Sequence, residues 1–148
     1  MNRTIKLLMI LNGALAVWAT FVFLGFLRLD LLSWIMLNTC SPTQFAAILA
    51  LASGKRGPMN AIVPWLVFYG FGGLFVFGWT GHMIVAQISH LIMTATAVYV
   101  LVTTAKERRF RALALGIAVG MLVMIPFQIY QGLFLSAHPE LLQLLGTQ

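Results

Sequence analysis

The charges of this chain fall in a few short clusters, and the stretches between them carry none. Arg3 and Lys6 open the sequence, Arg28 and Asp30 follow, then Lys55 and Arg56, then Lys106 to Arg111, and Glu140 stands alone near the end. A charged side chain is costly at the centre of a bilayer, and a helix needs about 20 apolar residues to cross one. The pattern therefore predicts an all-α integral membrane protein: a compact bundle of four to five transmembrane helices, five being favoured, forming one domain over residues 1–148. Only 8% of the residues are charged, against roughly 25% in a soluble domain.

The predicted spans are 7–27, 31–53, 60–78, 82–104 and 112–136. The first follows two basic residues, as a secretory leader would. It exceeds the roughly 7 to 15 apolar residues of such a leader, and no small-x-small site closes it, so it is expected to be a retained span. Residues 57–105 carry no charge and are too long for one helix. Gly78, Trp79, Thr80, Gly81 and His82 divide them into a hairpin. Pro64 and Pro126 are expected kink positions.

The second span is polar at its centre, where Asn38, Thr39, Cys40, Ser41, Pro42, Thr43 and Gln44 follow one another. Ser41 and Gln44 have capping-box spacing with proline between them, which predicts a helix starting at Pro42 and stopping at Gly54. Such a helix is roughly 18 Å long, short of a ~30 Å hydrocarbon core. The segment is therefore either a broken span or a re-entrant pair of half-helices. With five spans, eight basic residues lie on one side and Arg28 on the other. The positive-inside bias favours that arrangement, with the N-terminus cytoplasmic and the C-terminus on the outer side.

Polar residues inside spans must face other helices or a cavity. His90, with Gln87 on the same helix face, Gln128 and Gln131 on another, Tyr69, and the break from Asn38 to Gln44 all fall in the outer half of the predicted bundle. Together they form a candidate ligand pocket. Hydrogen bonding between helices is the plain reading of the same residues, at roughly 0.6 to 2 kcal/mol each. Cys40 reads as a packing residue, since no charge near it in sequence would activate a thiol. Arg28 and Asp30 read as a local ion pair.

Ala112, Gly116 and Gly120 are spaced by four, a small-residue face that admits a close helix, from this chain or from another. Lys106, Arg108, Arg109 and Arg111 read as contacts to anionic lipid headgroups. The net charge of +6 does not point to nucleic acid, because the basic residues end hydrophobic spans instead of forming a stripe with aromatics between them. No residue spacing predicts a metal centre, although His82, His138 and Glu140 share the outer side. No cofactor is specified. His90 could serve as a single axial ligand of a haem, and the aromatic arm from Phe68 to Trp79 could stack on a quinone. With neither intramembrane carboxylates nor a nucleophile pair visible in sequence, three readings remain. The chain is a non-catalytic subunit of a membrane complex or a homo-oligomer, a carrier or binder of a small apolar or weakly polar molecule, or a haem- or quinone-associated component, in that order.

Overall fold

The computed structural model describes residues 2–76, 78–79, 81 and 83–144. Among these the chain is helical throughout, with no strand. Four helices are long and apolar enough to cross a membrane: α1 (Arg3–Phe26), α4 (Arg56–Val76), α5 (Met83–Lys106) and α6 (Phe110–Ala137). Between α1 and α4 lie α2 (Leu31–Leu37) and α3 (Cys40–Ser53), and α7 (Pro139–Gln143) follows α6.

The turns explain the boundaries. Asn2 caps α1, its side chain accepting from the Thr4 N–H at 3.1 Å. The chain leaves α1 through Arg28, whose φ of 55° is left-handed. Asp30 then caps α2, accepting from the Leu32 and Ser33 N–H groups, both at 3.0 Å, and from the Ser33 hydroxyl at 2.6 Å. That cap corrects the expected Arg28–Asp30 ion pair: the carboxylate is committed to the helix start, and these bonds, the Ser33 hydroxyl first, hold its pKa below the ordinary value. Gly54, at φ 64°, ends α3.

The α2–α3 pair is bent by 86° at Asn38 and Thr39. The helix starts at Cys40, not at Pro42, and the predicted capping box does not form. Ser41 lies inside α3, where its hydroxyl accepts from Asn38 Nδ2 at 2.8 Å. Gln44 makes no capping bond and is buried, at 1% exposure. With 14 residues, α3 is roughly 21 Å long. It packs antiparallel along α1, while α2 lies across the far ends of α1 and α6 and touches α7.

All the basic clusters but one converge on one pole of the bundle. The start of α1, the end of α3, the start of α4 and the end of α5 share a core of Leu8, Leu51, Met59, Val63 and Val100. Polar pairs reinforce it: Asn12 Nδ2 donates to Thr96 Oγ1 at 2.9 Å, and Thr104 Oγ1 donates to Asn60 Oδ1 at 3.0 Å. Arg56 donates to both carboxylate oxygens of Glu107, and to Thr103 Oγ1 at 3.2 Å. The Arg56 bond holds the Glu107 carboxyl below its ordinary pKa. The start of α6 joins this pole through its glycines. A Cβ on Gly116 would strike Asn60, and one on Gly120 would strike the Ala61 carbonyl, so both glycines pack within the chain against α4. Arg28, Asp30 and Glu140 belong to the opposite pole.

A candidate cavity at the helix break

Two helices lose regular winding in the half of the bundle away from the basic pole. Residues Phe21–Phe26 of α1 and Leu66–Phe71 of α4 are π-helical, a widened winding that recurs at functional sites. The first lies along a cavity wall, and the second carries Tyr69. Between them sits the break in the α2–α3 pair, whose two sides are built differently.

On the side of α4 and α6 the break is tied down. Gln131 Nε2 donates to the Met36 carbonyl at 2.6 Å and to Thr39 Oγ1 at 2.8 Å. Tyr69 donates its hydroxyl to Gln131 Oε1 at 2.7 Å and accepts from Gln128 Nε2. Thr39 in turn donates to the Ile35 carbonyl at 2.7 Å. These groups satisfy the carbonyl that the end of α2 leaves unpaired, as an interrupted helix requires.

On the side of α1 and α5 the break borders a cavity of about 240 Å³. Trp18, Val22 and Phe23 of α1 form one wall and Met83, Ala86 and Ser89 of α5 another, with Asn38, Cys40, Ser41 and His90 at the break. The walls are apolar apart from Ser89, and Asn38, Cys40, Ser41 and His90 lie together at the break. His90, 2% exposed, has its Nε2 at 3.4 Å from Cys40 Sγ and its Nδ1 at 3.1 Å from Gln87 Oε1. Its ring rests on α4: a Cβ on Gly73 would fall 2.7 Å from Nε2, so only glycine leaves this seat open. Gly70 does the same one turn earlier, where an added Cβ would lie 2.8 Å from Met93 Cβ.

The single pocket expected from sequence is therefore two sites. Asn38 and His90 reach the cavity, and Gln87 stands behind His90. Tyr69, Gln128 and Gln131 form the clamp on the other side of the break. Gln44 joins neither: it is absent from the cavity wall, and both polar atoms of its amide are buried without a hydrogen-bond partner among the described residues. His82 lies outside the described residues. His138 Nδ1 donates to the Phe134 carbonyl at 2.9 Å, and its ring stacks on the Phe134 ring. Among the described residues no group of three or more His, Cys, Asp or Glu side chains could hold a metal ion. Of the basic loop, Arg109 approaches Glu107 at 3.4 Å, and Lys106, Arg108 and Arg111 are exposed.

Sequence reasoning put Cys40 and Ser41 within the break but read Cys40 as a packing residue only, and it missed Ser89 as a cavity residue, together with the structural pairs of Asn12 and Asn60. An isolated asparagine inside a charge-free span is itself a signal, since it must find a partner there. Comparison with protein families, characterised proteins and solved structures finds no match for the chain.

Proposed function

We propose that this chain is an integral multi-pass membrane protein that holds a small, mostly apolar molecule in the cavity beside the helix break. The observation that carries this reading is the contrast at the break. A discontinuous helix exposes polar backbone and side chains, and here one face of it is bonded internally while the other borders an apolar hollow. The α2–α3 pair counts as one broken crossing, which makes five. Eight basic side chains at one pole then lie on the cytoplasmic side by the positive-inside bias, with anionic lipid at Lys106, Arg108, Arg109 and Arg111. The N-terminus is cytoplasmic and the C-terminus is on the outer side.

This order differs from the one drawn from sequence, which put a non-catalytic subunit first. That reading leaned on the lack of intramembrane carboxylates and catalytic groups in the sequence and, for a contact, on small-residue faces such as Ala112, Gly116 and Gly120. Gly116 and Gly120 already hold α4, which removes the main argument for a partner helix there. Haem ligation also loses ground, because the Nε2 that would bind iron faces Cys40.

Native mass spectrometry of the chain released from membranes tests the proposal. The expected result is a one-to-one small-molecule adduct that Ala86→Leu removes by filling the cavity. A stoichiometric protein partner with no small adduct would return the subunit reading to first place.

A further inference from the structure

Cys40 carries more chemistry than a wall residue needs. It is the first residue of α3, and its N–H has no backbone carbonyl partner among the described residues. The N–H groups of a first helical turn are left without helical partners and carry partial positive charge. Its thiol faces an imidazole nitrogen, and that imidazole is oriented from behind. Gln87 Nε2 donates to the Leu74 carbonyl at 3.4 Å, which turns Oε1 toward His90. Oε1 can only accept, so His90 Nδ1 carries the proton of that bond and Nε2 presents a lone pair to the Cys40 S–H. Gly73 leaves room for the ring to lie against α4 in that position. A nucleophile, a base within reach of it and a third group orienting the base are the parts of covalent acyl-transfer catalysis.

We propose that Cys40 is a nucleophile that takes an acyl group from a lipid-like ester, with His90 as its base and Gln87 positioning that base. The proposal rests on the ligand-binding reading and names its substrate class. The apolar walls at Trp18, Val22, Phe23 and Met83 suit the acyl chain, which leaves the ester carbonyl beside Cys40. Sγ bonds to the carbonyl carbon as the thiol proton passes to His90 Nε2. The negative charge on the carbonyl oxygen is met by the Cys40 N–H and by the second N–H of Asn38 Nδ2, whose first is bonded to Ser41. The C–O bond then breaks, His90 returns its proton to the departing alcohol, and Cys40 is left as a thioester. Water, or another hydroxyl or amine, takes the acyl group in a second half-reaction and restores the thiol. No oxidant or reductant enters.

The test is incubation of the full chain in detergent with p-nitrophenyl palmitate, followed by intact mass and peptide mapping. One palmitoyl adduct is expected on Cys40, released by hydroxylamine and absent from Cys40→Ala. His90→Phe and His90→Gln should slow its formation by about 10²- to 10⁴-fold. Gln87→Leu, which leaves thiol and imidazole intact, should slow it less and shift the pH at which the rate rises. Circular dichroism and saturable binding of a dibrominated fatty alcohol serve as controls on every variant. Binding of that probe without acylation of the wild type would overturn the nucleophile and leave the ligand site standing, as would acylation of the folded His90 variants at the wild-type rate. Loss of both binding and acylation in the wild type would overturn both readings.

Discussion

The two sides of the helix break are made from similar residue types and end in opposite states. Toward α4 and α6, Tyr69, Gln128, Gln131 and Thr39 bond to one another and to the exposed end of α2. Toward α1 and α5, Asn38, Cys40, Ser41 and His90 stand at the wall of an apolar hollow. Polar residues in these long apolar helices thus have two distinct settings within one bundle. One set replaces the hydrogen bonds that a broken helix loses, and the other is left beside space that a ligand can fill. What separates them is geometry across helices, since both sides draw on uncharged polar residues.

The largest expected effect falls on the clamp. Gln131→Leu removes the donors to Met36 and Thr39 and the acceptor for Tyr69, and should cost about 2–3 kcal/mol of stability in detergent unfolding. Little loss there would dissolve the distinction between the two sides. Gly73→Ala should cost less, at the lower end of the ~1–3 kcal/mol typical of overpacking, while displacing His90 enough to weaken probe binding. On the cavity wall, Ala86→Leu should change stability by less than about 0.5 kcal/mol and reduce binding of a dibrominated fatty alcohol at least tenfold. A clear loss of stability would mean that the hollow is structural packing.

The smallest effect belongs to the basic pole, remote from the break. Arg56 lowers the Glu107 pKa, so that ion pair stabilises the fold above the ordinary value of 4.5 and its contribution is lost as pH falls through the depressed folded value. Glu107→Gln should flatten acid-side unfolding below that pH. It should do so only slightly, because the pair is partly exposed and screened.

The helical character of the chain was legible from its charge clusters, because a long charge-free apolar run admits few other structures. The break was legible too, since Asn38 to Gln44 is polar where a span should be apolar. Its form was not. A capping box fits Ser41 and Gln44 by spacing alone, but Asn38 engages Ser41 first, and the helix starts at Cys40. Nor could the sequence divide the polar residues into clamp and cavity. Gln131 meets Met36 and Cys40 meets His90 only when helices far apart in the chain are set side by side, the latter pair fifty residues apart. Asn12 and Asn60 escaped notice for the same reason, their partners Thr96 and Thr104 being distant in sequence.

The central claim is that the side of the break facing α1 and α5 is a ligand site. Trp18 lines that cavity, so a variant with Trp34, Trp65 and Trp79 replaced by phenylalanine reports on it alone. Titrating this variant with a dibrominated fatty alcohol should quench Trp18 fluorescence to saturation, and Ala86→Leu should abolish the saturable part. Quenching that rises linearly with probe and ignores Ala86→Leu would reflect partition into the surrounding detergent and would contradict the account.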